Sequence, residues 1–404
     1  MKLKTGIESD ECCGCAVCAE ICPKHALTMK PDTEGFEYPN LDTNACVNCG
    51  ACTTVCPAVE KNTNGLFSKI VSANAFVHSD TEVFLQSSSG GAFTAIAQTF
   101  YNGNCAIFGA ESISRSEVKH SFVENILDLG KFRKSKYLQS NTLGIFSQVR
   151  SKLKSEKNVL FTGTACQVAA LRLFLKKDYP TLLTVDVACH GVNNSKLTES
   201  YLLDCEKLYG KEITNYSFRT KGRKFGIDRC MIAEFCFSDG SKKQIDRDIL
   251  FRGFVEGLFL RKSCYSCKFS GKNRVADFTI ADFWGIERLS DKFNASSGCS
   301  LICANTKKAV NILPKFSELG NLESFDIEEA CHYIVPLKGL RLPSSAPREE
   351  FLNLALKSGM LVALKKFTHM PTLLERIISR IINSLPTSFK DVLKKIRKES
   401  HNKE

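Results

Sequence analysis

The sequence contains no uninterrupted apolar run of the ~18–20 residues that a membrane-spanning helix needs. It also lacks the basic and then apolar start of a secretory signal peptide, because residues 1–10 are polar. Both absences favour a cytoplasmic protein. The composition, 43% hydrophobic and 24% charged, is ordinary for a soluble globular chain. A length of 404 residues predicts about two or three domains.

Cysteine, by contrast, is abundant, with 20 residues. In a long chain without an export signal, this number indicates metal or redox chemistry rather than disulfides. Eight cysteines repeat the spacing C-x2-C-x2-C-x3-C-P, first as Cys12, Cys15, Cys18 and Cys22 and then as Cys46, Cys49, Cys52 and Cys56. Residues 1–62 are therefore predicted to form a bacterial-type ferredoxin module with two [4Fe–4S] clusters.

The spacing also predicts which cysteines share a cluster. Three closely spaced thiolates converge on one cubane, whereas the cysteine before proline ligates the other cluster. One predicted ligand set is Cys12, Cys15, Cys18 and Cys56, and the other is Cys46, Cys49, Cys52 and Cys22. Cys13 lies outside the spacing and is interpreted as a spectator. Zinc is the alternative, but separated cysteine pairs of zinc ribbons do not account for a doubled motif.

Beyond residue 70, short apolar strands alternate with helical stretches. Strands are predicted at residues 105–109, 158–162 and 182–188, and helices at 92–100, 143–153, 167–176, 196–208 and 249–258. This order predicts an α/β body with a mainly parallel sheet. Strands at 213–219, 231–237 and 242–245, with a turn at 238–240, predict an antiparallel insertion. The predicted fold class is thus an α+β ferredoxin-like N-terminal module fused to this body.

Two glycine-containing turns of the body are candidate binding sites. Ser89, Gly90 and Gly91 precede a predicted helix, and amides at a helix N-terminus suit the pyrophosphate of a flavin nucleotide. A plain serine cap is the alternative. Gly163 and Thr164 lie at a strand-to-helix turn, where ligands of open parallel sheets bind.

Four further cysteines match the number of thiolate ligands that a third cubane cluster needs. Cys166 and Cys189 each follow a predicted strand, and Cys264 and Cys267 form a CxxC pair. Taken singly, a buried cysteine at a strand end usually serves packing. A lone CxxC fits zinc, thiol redox chemistry or cluster ligation equally well. The third cluster is therefore a weaker prediction than the first two.

Several motifs, met in order over roughly residues 12–305, resemble the beta subunit family of coenzyme F420-reducing hydrogenase and formate dehydrogenase. They are Ser-Lys-Tyr-Leu-Gln-Ser at 135–140, Gly-Thr-Ala-Cys-Gln-Val at 163–168, Cys-His-Gly at 189–191, Ser-Cys-Tyr-Ser-Cys at 263–267, and Asp-Phe-Thr-Ile-Ala-Asp-Phe-Trp-Gly at 277–285. Ala165 departs from the family pattern, which usually has proline there.

The resemblance implies an FAD-containing body with a flavin-binding part. Its implied divisions are an N-terminal domain of the beta-subunit type at 70–157 and the corresponding C-terminal domain at 158–345. Residues 346–404 are predicted from their own pattern to form a basic amphipathic helical tail. The resemblance supports the third cluster. It also supports and extends the set of predicted flavin contacts, which are Ser89, Gly90, Gly91, Lys136, Tyr137, Gly163, Thr164 and His190. For His190 the functional role is tuning the flavin or relaying a proton, and a structural histidine is the alternative.

The implied function is that of an FAD-dependent iron–sulfur oxidoreductase. Reduced ferredoxin or another redox partner would supply single electrons to the N-terminal clusters, and FAD would pass them to an organic acceptor. Two alternatives stay open at this point. One is a non-catalytic electron-relay subunit of a larger redox complex, and the other is a ferredoxin-fused interaction protein without flavin.

The basic character of the chain has two separate sources. The formal net charge is +12, but three clusters of net charge −2 would lower it to about +6, so no nucleic-acid partner is expected. Half of the formal excess lies beyond residue 360, where residues 371–398 alternate apolar pairs with bases. This pattern predicts amphipathic basic helices. They are either a helical cap or a peripheral contact with an anionic membrane surface or an acidic partner.

Overall fold

The structure is a computed structural model and describes residues 4–224, 227–339 and 347–368. The predicted basic helices at 371–398 lie outside these residues. Within them, no helix is long and apolar enough to cross a bilayer.

The strands, in chain order, are β1 (Leu27–Pro31), β2 (Glu37–Leu41), β3 (Ser68–Lys69), β4 (Ser72–His78), β5 (Cys105–Ser112), β6 (Val118–Val123), β7 (Asn158–Thr164), β8 (Leu182–Val187), β9 (Ile213–Lys224), β10 (Ile227–Phe237), β11 (Lys242–Asp246), β12 (Asn273–Arg274), β13 (Phe278–Asp282), β14 (Ser300–Ala304) and β15 (Gly320–Phe325).

The α-helices are α1 (Val17–Glu20), α2 (Ala51–Thr54), α3 (Glu60–Thr63), α4 (Thr81–Gln86), α5 (Ala92–Phe100), α6 (Ile145–Lys154), α7 (Ala165–Leu175), α8 (Ser195–Tyr209), α9 (Ile249–Val255), α10 (Lys262–Tyr265), α11 (Lys307–Ile312), α12 (Ile327–Cys331), α13 (Pro347–Ser358) and α14 (Met360–Phe367). Short 3-10 helices cover Ser9–Glu11, Ile126–Phe132, Ile286–Arg288, Leu313–Glu318 and Val335–Lys338.

The body is built on an eight-stranded mixed sheet with the order β15-β4-β14-β13-β8-β7-β5-β6. Parallel pairing joins the four central strands, β13, β8, β7 and β5. The outer strands pair antiparallel. The first five residues of β5 are all buried, as expected of a strand that is covered on both faces. The predicted α/β body is confirmed, and its parallel part consists of these four central strands.

The predicted antiparallel insertion is also confirmed. It is a three-stranded sheet of order β11-β10-β9, with β10 paired antiparallel to both neighbours. Its apolar face packs against α8, α9, α13 and α14 around one core cluster. The large sheet takes strands from both of the ranges predicted as 70–157 and 158–345, so these two ranges share a core.

Local sequence signals account for where the helices around the site begin. Thr164 and Gln167 form a reciprocal capping box at the start of α7, directly after β7. Asn194 caps α8 by accepting from the amide of Leu197, and Gly210 ends it with a positive φ of 65°. These caps place the residues at 163–166 and 189–194 at one edge of the sheet, beyond the carboxyl ends of β7 and β8.

The N-terminal module consists of the β1–β2 hairpin and short helices, and it packs onto the body. Val17 and Val55 of the module belong to the same apolar cluster as Val149 of α6 and Val168 of α7. Arg348 of α13 forms an ion pair with Glu34 in the hairpin loop. The two cysteine motifs are therefore fixed relative to the α/β body.

Candidate functional site

The structure brings the first predicted ligand set together. Cys15, Cys18 and Cys56 are buried, and Cys12 is half-buried. Burial raises the pKa of Cys18, and the neighbouring charges of Cys12 and Cys56 raise it further. Burial likewise raises the pKa of Cys56, with Cys12 again close by. Cys12, Cys18 and Cys56 thus lie close enough to interact electrostatically, as the thiols of one iron–sulfur ligand set do.

The second predicted set lies at the protein surface. Cys22, Cys46, Cys49 and Cys52 line one pocket, and Cys49 is exposed to solvent. Among the described residues, no three His, Cys, Asp or Glu side chains are placed to hold a single metal ion.

The four body cysteines predicted from scattered motifs line a single cavity of ≈ 90 Å³. Cys166 is the second residue of α7, Cys189 follows β8, and Cys264 and Cys267 lie in and just after α10. Burial raises the pKa of Cys264 to about 12, and the charge of Cys267 adds to this. Residues separated in sequence by about a hundred positions thus meet at the sheet edge.

Cys13 also lines this cavity. Its thiol interacts with the thiols of Cys15 and Cys166, so it lies between the first ligand set and the body cysteines. The motif spacing predicts no role for Cys13, because the second motif has Val47 at the equivalent position. Its side chain in fact joins the two groups of thiols.

The loop that carries Cys12 and Cys13 is held against the body by hydrogen bonds to its carbonyl oxygens. Gln139 Nε2 donates to the carbonyls of Cys13 and Gly14, at 3.0 and 2.9 Å. Arg261 Nη1 donates to the carbonyl of Cys12 at 3.2 Å. Gly14 has a φ of +66°, and a Cβ there would lie 2.5 Å from Arg261 Nη2 and from Gln139 Nε2. Only glycine fits this position.

The turn at residues 87–91, which is the predicted flavin site and is called the flavin turn below, is held by hydrogen bonds to other parts of the body. The amide of Gly90 donates to Ser300 Oγ at 2.8 Å, and Ser89 Oγ donates to the carbonyl of Cys299 at 2.8 Å. A Cβ on Gly90 would lie 2.0 Å from the carbonyl oxygen of Phe76. Gly91 directly precedes α5 with a φ of +93°. The turn is thus a rigid backbone corner in which the Gly90 amide and the Ser89 hydroxyl already have protein partners.

Two cations that the sequence analysis missed lie against this turn. Arg219, 2% exposed, donates to the carbonyl of Ser88 at 2.9 Å and pairs with Asp282 at 2.6 Å. Lys221 Nζ donates to the carbonyl of Ser89 at 2.7 Å, and burial lowers the pKa of Lys221 to about 7. Both side chains come from β9, where positions two apart share a face. The alternation of bases at residues 219, 221 and 223, at the end of and just after the strand predicted at 213–219, was the signal available in the sequence.

Lys136 and Tyr137 lie near the same turn. Lys136 Nζ donates to the carbonyl of Arg133 at 2.7 Å, and burial lowers the pKa of Lys136 to about 8. Tyr137 Oη accepts from Arg219 Nη1 at 3.3 Å. The Tyr137 ring packs 4.8 Å from that of Phe254.

The remaining predicted flavin contacts divide between two places. The ring of His190 lies 5.3 Å from that of Phe254, on which Tyr137 also packs. Thr164 instead lines the cysteine cavity, with its Oγ1 3.1 Å from Cys166 Sγ. Gly163, one residue earlier, lies against Gln167.

The segment at residues 135–142 connects the two regions. At one end the amide of Ser135 donates to Ser88 Oγ at 2.7 Å, beside the flavin turn. In the middle, Gln139 lines the cysteine cavity. At the other end, Thr142 Oγ1 donates to the carbonyl of Cys15 at 2.9 Å. The four-residue step from Ser135 to Gln139 spans at most about 14 Å, so the turn and the cavity are neighbours.

Comparison with known proteins gives two family matches. Residues 156–330 match the model for the C terminus of the coenzyme F420 hydrogenase/dehydrogenase beta subunit, and residues 11–59 match the 4Fe-4S dicluster domain. A solved structure titled "Xenon derivatization of the F420-reducing [NiFe] hydrogenase complex from Methanosarcina barkeri" contains a similar chain. The two are 18% identical over 75% of this chain and 92% of that chain, with a TM-score of 0.44. No curated protein matches this chain.

The resemblance inferred from the motifs at 135–140, 163–168, 189–191, 263–267 and 277–285 is thereby confirmed. Residues 156–330 belong to the coenzyme F420 hydrogenase/dehydrogenase beta-subunit family, as its C-terminal part, and residues 11–59 form a 4Fe-4S dicluster domain.

Proposed function

We propose that this protein is an iron–sulfur flavoprotein oxidoreductase. It accepts single electrons from ferredoxin or another redox partner and passes them through [4Fe–4S] clusters and FAD to an organic acceptor. The observation that carries the proposal is the cavity that Cys166, Cys189, Cys264 and Cys267 line, because Gln139, which also lines it, holds the N-terminal cysteine loop beside it.

The residues present fit three clusters. The proposed ligand sets are Cys12, Cys15, Cys18 and Cys56; Cys22, Cys46, Cys49 and Cys52; and Cys166, Cys189, Cys264 and Cys267. When bound, the clusters supply one-electron transfer, and the flavin links it to two-electron chemistry. The protein contributes fixed positions, since the hydrogen bonds of Gln139 and Arg261 hold the first motif against the cavity.

The order of the three sites follows from their exposure. The second set lies at the surface with Cys49 exposed, which suits contact with a soluble electron donor. The first set is more buried, and its Cys18 interacts electrostatically with Cys52 of the second set. The cavity cysteines follow on the body side of Cys13, which contacts Cys166. This sequence leads from the surface to the flavin turn.

The cations around the flavin turn favour an anionic group such as the FAD pyrophosphate. Arg219 and Lys221 both donate to its carbonyls, and burial keeps their charges weakly screened. The proposed flavin contacts are Ser89, Gly90, Gly91, Lys136, Tyr137, Gly163, Thr164 and His190. Because the Gly90 amide already donates to Ser300 Oγ, Lys221 is the more available partner for a phosphate.

A direct test is the cofactor content of protein purified anaerobically. Iron, acid-labile sulfide and released flavin are measured per chain. The proposal expects about twelve irons and one FAD. About eight irons without flavin, even after reconstitution with iron, sulfide and FAD, would contradict it and leave only the dicluster module.

A second candidate function is a relay subunit whose substrate chemistry takes place elsewhere in a complex. The family description, which names a beta subunit, favours it. Such a protein would contain clusters and flavin, but it would reduce no organic acceptor alone. Activity that appears only after reconstitution with a partner protein would support the relay. A ferredoxin-fused interaction protein would contain no flavin at all.

A further inference from the structure

Arg261 is a deeply buried cation without a carboxylate counter-ion. It is 1% exposed, and its guanidinium donates to Gln139 Oε1 at 2.7 Å, to the carbonyl of Glu37 at 2.8 Å and to the carbonyl of Cys12 at 3.2 Å. All three acceptors are uncharged. Over residues 4–224, 227–339 and 347–368, no Asp or Glu side chain forms an ion pair with it.

The other arginines that are buried to a similar degree are each neutralised. Arg219 pairs with Asp282 and Arg274 pairs with Asp186. Burying a charge without an opposite charge is energetically unfavourable. The surroundings of Arg261 therefore imply an anion that the polypeptide itself does not supply.

Arg261 faces thiols of two different ligand sets. Its carbonyl accepts from the amide of Cys264, the first residue of the CxxC pair. Its guanidinium contacts the loop of Cys12. The positive charge of Arg261 lies close enough to the thiols of Cys12 and Cys264 to interact with both electrostatically. Cys12 belongs to the first N-terminal set, whereas Cys264 lines the body cavity.

Aromatic rings shield this charge from solvent. The guanidinium carbon lies 4.7 Å from the ring centre of Tyr38 and 5.1 Å from that of Phe36. Because water is excluded, the field of Arg261 reaches both groups of thiols with little screening.

We propose that Arg261 is the shared counter-cation of two [4Fe–4S] clusters, the one held by Cys12, Cys15, Cys18 and Cys56 and the one held by Cys166, Cys189, Cys264 and Cys267. This inference rests on the third cluster of the proposed function. Each cluster with four thiolates carries a net charge of about −2 when oxidised and gains one further negative charge on reduction. A fixed positive charge favours the more negative state, so Arg261 raises both reduction potentials.

The test is a redox titration of the full chain, purified anaerobically, reduced stepwise with dithionite and followed by electron paramagnetic resonance. Arg261→Gln removes the charge but retains hydrogen-bond donors, and Arg261→Lys retains the charge. Arg348→Gln is the matched control, because Arg348 is also buried and donates to the neighbouring carbonyl of Leu260, but Glu34 neutralises it.

Arg261→Gln is expected to disfavour reduction of both clusters by about tenfold each, which is about 59 mV for one electron. Arg261→Lys should lie closer to the unmodified protein than to the glutamine variant. Arg348→Gln should leave both midpoint potentials where they are. A shift at one cluster alone would overturn the shared role.

A second variant covers the case in which Arg261→Gln does not assemble. Gln139→Glu places a carboxylate at the oxygen that already accepts from Arg261 Nε, so it neutralises the guanidinium without removing it. It also removes the Nε2 donor to the carbonyls of Cys13 and Gly14, so only variant protein with the iron content of the unmodified protein is titrated. It should lower both reduction potentials, as Arg261→Gln does. If the assembled variants contain about twelve irons per chain and their potentials are unchanged, the role of Arg261 is overturned but the third cluster is not. About eight irons in the unmodified protein would overturn the third cluster and the inference with it.

Discussion

At the scale of single residues, the cysteine cavity contains one more thiol than a cubane needs. Cys13 lines it together with Cys166, Cys189, Cys264 and Cys267. A [4Fe–4S] cluster takes four thiolates. Cys13 follows Cys12 of the first set directly, so the geometry favours a bridging position between two sites over ligation within one.

Cys166→Ser and Cys13→Ser should therefore differ in iron content. Loss of Cys166 removes a proposed ligand, and iron should fall from about twelve to about eight per chain. Loss of Cys13 should leave about twelve. Iron analysis after anaerobic purification makes the comparison. If Cys13→Ser loses four irons instead, Cys13 is a ligand and one of the other four is not.

Gly14 and Gly50 provide a pair for a stability measurement, since each lies between two cysteines of one of the two motifs. Both have positive φ, but a Cβ on Gly50 meets nothing within 4 Å, whereas one on Gly14 would clash with Arg261 and Gln139. Gly14→Ala should therefore destabilise the protein by about 1–3 kcal/mol more than Gly50→Ala. The midpoints of anaerobic thermal unfolding measure the difference, and equal midpoints would show that the loop can shift freely.

At the scale of secondary-structure elements, β9 connects the antiparallel insertion to the flavin turn. Its apolar side chains, such as Phe218, pack into the insertion core, while Arg219 and Lys221 reach the carbonyls of Ser88 and Ser89. One strand thus has both a packing face and a face directed to the site, because successive side chains point to opposite sides.

Lys221→Ala should weaken FAD binding and remove part of its pH dependence. Burial lowers the pKa of Lys221 to about 7, so the side chain is charged below about pH 7 and increasingly neutral above it. Affinity for the anionic pyrophosphate should therefore fall as pH rises through about 7, by about tenfold for one lost charge-assisted contact.

Fluorescence titration of FAD against deflavinated protein at a series of pH values measures this effect. Lys242→Ala is the control, because Lys242 is an exposed lysine of β11 in the same insertion. A pH profile that is the same in Lys221→Ala and in the unmodified protein would show that Lys221 does not contact the phosphate.

At the scale of the whole molecule, the three cysteine sets run from the surface into the body. Cys49 is exposed, Cys18 is buried in the module, and the body cavity lies behind Cys13. The packing of Val17 and Val55 onto α6 and α7 makes this arrangement a single unit. Under the proposed function, electrons that enter at the surface set would pass through the first set and the cavity to the turn at residues 87–91.

Cys49→Ser should slow the reduction of bound flavin by reduced ferredoxin by on the order of tenfold or more, because it removes a ligand of the entry cluster. Cys236→Ser is the control, since Cys236 lies in β10, outside every proposed ligand set. Stopped-flow absorbance of the flavin follows the reaction. Equal rates in Cys49→Ser and in the unmodified protein would show that electrons enter elsewhere.

Local sequence was enough to predict the dicluster module, the alternation of strands and helices, and the family. The spacing of Cys12, Cys15 and Cys18 is local, so the thiols must converge whatever the rest of the chain does. The same holds for the caps of α7 and α8, which depend on residues three apart. The limits of helix α5, residues 92–100, were predicted as observed.

Which distant residues meet depends instead on how the elements pack. Cys166, Cys189 and Cys264 approach one another because β7, β8 and α10 end at the same sheet edge, a consequence of strand order rather than of any local spacing. The surroundings of Arg261 likewise depend on the docking of the module onto the body. Local sequence fixes spacing along the chain, but contacts between elements arise from packing, which burial of apolar surface drives without regard to sequence distance.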